Sequence, residues 1–324
     1  MRTRRLGWTD LELTVIGLGS WAMGGGGWKY GWGPQEDEDS RRAIRRALDA
    51  GVNWIDTAAV YGLGHAEEVV GQVLKDLPHR NRPFVATKCG RVWDSSGAIS
   101  GRLKRASVRA EAEASLRRLG LDAIDLYQIH WPDPDADIEE GWTAVVELID
   151  EGKVRYGGVS NFSVAQLERI GKIGRVASLQ PPYSMIRREV ERELLGYCAQ
   201  NNIGVVVYSP MQKGLLTGAF TRERVERLPS DDHRRNDKQF CEPLLGANLK
   251  LVEGLRKIAS KSGRTPAQLA VAWVLRRSEV TSAIVGARRP SQIEEVLPAA
   301  DWELSAEELR AVEGLIAERE RAGR

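Results

Sequence analysis

Hydrophobic and polar positions alternate along this chain with two periods. Short runs rich in β-branched residues are separated by longer stretches that place apolar residues on one helical face, and the alternation persists almost to the end. Eight short runs read as strands: Val15–Gly17, Asn53–Asp56, Phe84–Lys88, Asp125–His130, Gly157–Ser160, Ala177–Gln180, Gly204–Tyr208 and Ala283–Gly286. The stretches between them read as helices with recognisable ends. Asp39–Ala50 stops before Gly51, Ala66–Leu77 before Pro78, Ser107–Leu119 before Gly120 and Glu139–Glu151 before Gly152, because glycine and proline terminate helices. Ser163-Val-Ala-Gln166 and Thr265-Pro-Ala-Gln268 match the capping box, in which hydroxyl and amide side chains satisfy the free N–H groups of a first turn.

Eight strand–helix units in 324 residues, with no low-complexity hinge, predict one closed (β/α)₈ TIM barrel in the α/β class, spanning 1–324 as a single domain. Two smaller α/β domains are the alternative, which the even spacing disfavours. Arg4-Arg5-Leu6 and Leu11-Glu-Leu13 flank a Gly7-Trp-Thr-Asp10 turn and predict an N-terminal β-hairpin plugging the barrel floor. After Tyr208 the rhythm breaks. The charged stretch Thr221–Gly246 reads as a long loop, followed by an extra helix at Ala247–Ser262. Ser305-Ala-Glu-Glu308 opens a last helix, expected outside the barrel at the C-terminus.

Composition then narrows the function classes. Forty-seven basic against 45 acidic residues leave a net charge of +2, too little to attract a polyanion, so no nucleic-acid partner is expected. No apolar run approaches the roughly 20 residues that span a bilayer, and no apolar segment follows the basic start as in an export signal. No membrane partner is expected. Cys89, Cys198 and Cys241 are too few and too scattered for a disulfide framework, and a reducing cytoplasm suits them. His65, His79, His130 and His233 lie too far apart to predict a metal site. Nothing in the sequence signals an oligomeric state.

On such a barrel, chemistry sits where strands end. Asp56, Lys88 and His130 each close an apolar strand, and Tyr61 follows Asp56 by five residues. Singly, each could be structural. Together they make an acid: an ammonium at Lys88 would lower the phenol of Tyr61 from its ordinary pKa near 10, Asp56 would hold that ammonium charged, and neutral His130 could donate to a carbonyl oxygen. Gly17-Leu-Gly19-Ser-Trp-Ala22 nearly matches the dinucleotide fingerprint, but the glycines Gly24–Gly27 cannot readily open the helix that motif needs, at about 1 kcal/mol each. They read instead as a pliable loop carrying Trp28, Tyr30 and Trp32 over a cavity. Trp21, Trp28, Trp93 and Trp131 are the expected pocket walls, for an apolar aldehyde or a sugar face, while Trp142, Trp273 and Trp302 are expected in packing. Cys89, alternating with Lys88 on its strand, should point away and be inert.

These residues resemble the aldo-keto reductase family. The resemblance runs from about Leu13 to Ala300 and rests on Gly51-Val-Asn-Trp-Ile-Asp56-Thr-Ala with Tyr61-Gly62, on Lys88 and His130 at their strand ends, and on Gly158-Val-Ser-Asn-Phe-Ser163, Gln180-Pro-Pro-Tyr183 and Tyr208–Gly218. His130-Trp-Pro-Asp-Pro134 and Ile284-Val-Gly-Ala-Arg288 look most like the bacterial inositol-operon and general-stress members. The resemblance implies reversible hydride transfer between NADPH and a small-molecule carbonyl or alcohol, with Tyr61 as proton donor, Asp56 and Lys88 tuning it, and His130 orienting the carbonyl. It assigns Ser160, Asn161 and Gln180 to the nicotinamide carboxamide and Tyr208 to a stack on the nicotinamide. The loop Ser209, Pro210, Gln212, Lys213, Gly214 and Leu215 would cover the pyrophosphate. Gly286, Arg288, Arg289, Gln292 and Glu295 would hold the adenosine end, with Arg288 first for the 2′-phosphate. Val296 stands where the family commonly has an asparagine on the adenine, which leaves NADH as an alternative cofactor.

Two other functions fit parts of the pattern. Lys88 on a barrel rim could form a Schiff base and make the protein a lyase. The same four residues could also serve a cofactor-binding sensor or partner subunit with negligible turnover.

Overall fold

The structure, a computed structural model, describes residues 1–322. Eight parallel strands close into a barrel in chain order: β1 (Ile16–Gly19), β2 (Trp54–Asp56), β3 (Phe84–Cys89), β4 (Ile124–Ile129), β5 (Val154–Ser160), β6 (Ser178–Gln180), β7 (Gly204–Val207) and β8 (Val280–Gly286). Parallel strands need cover on both faces, and these have it: most of their residues are buried. The expected strands are all present. β5 and β8 begin earlier than the apolar pattern indicated: β5 opens with exposed Arg155 between Val154 and Tyr156, and β8 with buried Thr281 and Ser282, polar residues that interrupt the apolar run. Ser282 of β8, for example, donates from its hydroxyl to the Thr14 carbonyl at 2.7 Å inside the barrel.

Around the barrel run α1 (Asp37–Asp49), α2 (His65–Asp76), α3 (Arg105–Leu119), α4 (Ile138–Asp150), α5 (Val164–Gly171) and α6 (Leu194–Gln200). The short α7 (Arg222–Glu226), α8 (Leu244–Lys261), α9 (Pro266–Leu275), α10 (Pro290–Val296) and α11 (Ala306–Ala322) complete the chain. Both predicted capping boxes form, on Ser163 with Gln166 and on Thr265 with Gln268. The C-terminal α11 packs on α8 outside the barrel. Thr221–Gly246, expected as a loop, folds into α7 and two short turns around buried Phe240, which joins Leu215, Phe220, Leu228 and Leu245 in a satellite core. α6 went unanticipated because a charged run precedes it and masks its apolar face. A second hairpin, Arg91–Trp93 with Ile99–Gly101, was also unforeseen. Its strands of three half-exposed residues carry too little alternation to be seen.

Two apolar layers hold this together. The larger lies between strands and helices; the smaller fills the barrel, where Leu6, Leu11 and Leu13 of the N-terminal hairpin meet Trp54, Ala86, Leu126, Ala177, Val206 and Ile284. The hairpin, Thr3–Arg5 paired with Glu12–Thr14, plugs the floor as predicted. Trp54 dominates that layer, and its indole N–H donates to the Thr14 carbonyl at 3.2 Å and to the Ser282 hydroxyl at 3.1 Å. It fits only because Gly17 lies opposite: a Cβ there would sit 2.0 Å from the indole. Gly17→Ala should therefore destabilise the barrel by roughly 1–3 kcal/mol, read as a lower urea midpoint at unchanged slope; an unchanged midpoint would mean the floor is not packed this way.

Candidate active site

The catalytic candidates converge. Asp56 ends β2 and Lys88 lies near the end of the neighbouring β3, so strand pairing alone brings them together. The Lys88 ammonium donates to Asp56 Oδ2 at 2.7 Å, to the Thr57 carbonyl at 2.8 Å and to the Tyr61 hydroxyl at 3.4 Å. Its three protons thus have three acceptors, which a fully buried ammonium requires. Tyr61 reaches this point through a tight turn in which Gly62, Leu63 and Gly64 all take positive φ. Gly62 is also pressed on Gly24 of the first rim loop, since a Cβ at 62 would lie 2.3 Å from the Gly24 carbonyl oxygen. His130 stands just past β4, its ring edge-on to Tyr61 at 5.7 Å between centroids.

Electrostatics at the centre depart from the simple expectation. The resting pKa of Tyr61 is raised, not lowered. Burial, followed by the Asp56 carboxylate and Tyr208, pushes that phenol well above its ordinary value. Burial likewise lowers Lys88, against the opposing pull of Asp56. The phenol therefore stays protonated, and the ammonium acts on the phenolate as the proton leaves. Burial, Lys88 and Arg91 hold His130 well below the usual imidazole value, so it is neutral.

A second hydrogen-bond chain borders the first. Ser160, ending β5, donates to the Gln180 carbonyl at 2.8 Å. Asn161, at φ 65°, donates to the His130 carbonyl at 3.0 Å and to the Ser160 hydroxyl at 2.9 Å, and accepts from the Tyr208 hydroxyl at 2.9 Å. Gln180, ending β6, turns its amide N–H to Asp56 Oδ1 at 2.8 Å. Both carboxylate oxygens of Asp56 are thereby engaged.

All of this opens into one cavity of about 960 Å³ that runs from Tyr61 and His130 to Arg288, Gln292 and Glu295. Ser160, Asn161, Gln180, Tyr208, Ser209, Pro210, Lys213, Gly214 and Gly286 line it, as do Trp21, Trp28 and Trp131. Three expected residues do not. Trp93 sits on the unforeseen hairpin, and its cross-strand partner Ile99 takes the lining place. Gln212 is buried with its carbonyl oxygen accepting from Ser184, and Leu215 is buried in the satellite core, because the left-handed turns at Gln212 and Lys213 fold this loop on itself. Cys89 is buried and points away from the cavity, as alternation predicted.

The far end of the cavity is cationic. The Arg288 guanidinium donates to Gln35 Oε1 at 2.6 Å, to the Trp32 carbonyl at 3.3 Å and to the Pro34 carbonyl, all neutral oxygens. Among the described residues no carboxylate lies within ion-pair distance of it, and burial lowers its pKa. Gln292 uses its side-chain oxygen on the Arg288 and Arg289 backbone N–H groups at 2.7 and 3.2 Å, which leaves only its amide N–H for a ligand. Lys213 is shared with Asp237 at 2.8 Å. Several lining residues escaped sequence reasoning. Arg234, 4.6 Å over the Trp32 ring, faces the cavity, as do Arg91, Arg187 and Arg224, while His233, outside the lining, stacks on Trp21 at 4.9 Å. In the charged Thr221–Gly246 stretch nothing marks which arginines turn inward.

With the geometry in hand, comparisons with known proteins agree. The Aldo/keto reductase family profile matches residues 15–317. The chain is 38% identical to aldo-keto reductase YhdN of Bacillus subtilis over 95% of this chain and 91% of that one. It is 37% identical to an NADH-specific methylglyoxal reductase of Escherichia coli over 94% and 95%. Among solved structures, a glycerol dehydrogenase of Gluconobacter oxydans superposes with a TM-score of 0.88 at 39% identity, covering 98% of this chain and 95% of that one.

The buried pair at the centre makes a prediction that needs no substrate. Lys88→Met should leave Asp56 charged and unpaired and cost roughly 3–5 kcal/mol of stability in urea titration, with much of it regained in the double variant Lys88→Met, Asp56→Asn. Additive losses in the double variant would contradict the pairing.

Proposed function

As a chain that belongs to the aldo/keto reductase family, this protein is, we propose, an NADPH-dependent carbonyl reductase that reversibly converts aldehydes and ketones to alcohols with Tyr61 as proton donor. The observation that carries this reading is the contact of one buried ammonium, Lys88, with both Asp56 and the Tyr61 hydroxyl. Tyr61 accepts from Lys88, which leaves its own proton free to point into the cavity.

The cavity fits a dinucleotide. Its nicotinamide end would be held by Ser160, Asn161 and Gln180, with Tyr208 beneath the ring, and its 2′-phosphate by Arg288, whose guanidinium has only neutral oxygens to give up. A bound reduced nicotinamide supplies the hydride to the carbonyl carbon. This chain supplies everything else. His130, neutral, donates to the carbonyl oxygen and aims it at Tyr61; Tyr61 gives that oxygen its proton; Lys88 stabilises the phenolate left behind. Asp56 keeps the ammonium charged at the moment it is needed. Trp21, stacked near Tyr61 at 6.2 Å, and Trp28 offer flat apolar walls to the substrate. A small-molecule carbonyl or alcohol is the partner this cavity suits. Among the described residues no helix is long and apolar enough to cross a membrane; a cytoplasmic location and a single domain are part of this proposal.

Three outcomes test the reading. Tyr61→Phe should lower turnover at least about 100-fold with NADPH affinity near wild type, since only the transferable proton is lost; retained turnover would reject Tyr61 as donor. Arg288→Ala should raise the NADPH KM roughly 10- to 100-fold and the NADH KM little, whereas equal losses would refute the phosphate contact. The reduction rate should be level between about pH 6 and 8, because Tyr61, held above its ordinary pKa, stays protonated and His130, held below its own, stays neutral. It should fall only on the alkaline side, as the lowered Lys88 loses its proton. An acid limb near the ordinary imidazole pKa would contradict the neutral His130.

A further inference from the structure

Beneath the site, the barrel interior holds a polar row that the proposed mechanism does not use. Strand register places Lys88, Gln128, Gly158 and Ser178 side by side across β3, β4, β5 and β6. Gln128 is completely buried, as is Ser178. The Gln180 amide nitrogen has two protons: one goes to Asp56 Oδ1 at 2.8 Å, and the other faces Gln128 Oε1 at 3.4 Å. A flipped Gln180 would turn its oxygen on two acceptors at once. Asp56, an acceptor only, sets which end of Gln180 it meets, and Gln128 takes the second proton of that end.

The other end of Gln128 is not satisfied by protein. Its Nε2 and the Ser178 hydroxyl are buried side-chain atoms with no hydrogen-bond partner among the described residues. Both residues pack against Gly158, where a Cβ would lie 2.2 Å from Ser178 Oγ and 3.2 Å from Gln128 Cγ. Orphaned buried polar groups around a small polar space are where proteins hold single waters.

We propose that Gln128 is a positioning residue for the carbonyl reduction inferred above, on which this assignment rests. Anchored by a buried water shared with Ser178, it holds Gln180, and Gln180 holds the Asp56 carboxylate square to Lys88. The residue touches neither substrate nor the reacting atoms. Its effect reaches Tyr61 through Gln180, Asp56 and Lys88, so losing it should weaken the ammonium's hold on its proton and leave cofactor binding nearly intact.

The test compares wild type with Gln128→Leu, which keeps comparable bulk and removes the amide. Aldehyde reduction is followed across pH, NADPH binding is measured by fluorescence, and both proteins are crystallised. The variant should lose about tenfold in kcat, with KM for aldehyde and affinity for NADPH within about twofold, and its alkaline limb should move to lower pH by about one unit. In crystals, wild type should show a water between Gln128 and Ser178, and the variant a Gln180 turned from Asp56. An active variant with wild-type kcat and an unmoved alkaline limb would overturn the proposal, whatever its melting temperature, and so would an unmoved Gln180. Ser178→Ala, which removes only the far pole of the water, should shift the same limb in the same direction by less; it decides the matter should Gln128→Leu not fold, and no shift would count against the proposal. A wild type that reduces no carbonyl would instead sink the reductase reading, and the crystals would still judge the positioning claim.

Discussion

A buried ammonium beside a buried carboxylate constrains everything else in this structure. Neither Lys88 nor Asp56 can leave water without full hydrogen bonding, and removing either partner leaves the other's charge stranded. The barrel answers by geometry. Adjacent strands deliver the two side chains, the Thr57 carbonyl takes a second ammonium proton, and the Tyr61 hydroxyl takes the third. Asp56 is completed by Gln180 from the far side of the barrel. A phenol wedged at such a point is an acid whose conjugate base has a cation waiting for it. Its resting pKa is high because burial dominates, and that keeps the acid loaded.

The same constraint explains why the centre was legible in the sequence. Asp56, Lys88 and His130 are polar residues closing apolar strands, and a period of two with a sharp polar end is visible without coordinates. The capping boxes at Ser163 and Thr265 were equally readable, since their partners lie close in sequence. The eight-strand order followed from even spacing alone. What spacing could not supply was the balance of electrostatic effects at Tyr61, because burial depth is a property of the closed barrel.

The rim was legible only in part. Trp21, Trp28 and Trp131 face the cavity, but Trp93 is carried off by a hairpin whose strands are too short to leave a periodic trace. Gln212 and Leu215 were assigned to a covering loop, yet successive left-handed residues turn them inward. Arg234 and His233 emerged from a charged stretch that reads as solvated and in fact folds over Trp32 and Trp21. The cationic end built from Arg288 and its neighbours is where, on the proposed function, cofactor choice would be decided. There the family likeness divides, since one relative is named NADH-specific.

Isotope transfer puts the central claim to the most direct trial. Reduced cofactor with both nicotinamide C4 hydrogens replaced by deuterium would be reacted with an aldehyde in a single turnover, and the alcohol examined by mass spectrometry and NMR. Hydride transfer requires one deuterium on the new carbinol carbon, with the hydroxyl proton drawn from the protein and solvent. Alcohol formed without label, or label lost to water, would contradict hydride transfer and with it the role given to the buried centre.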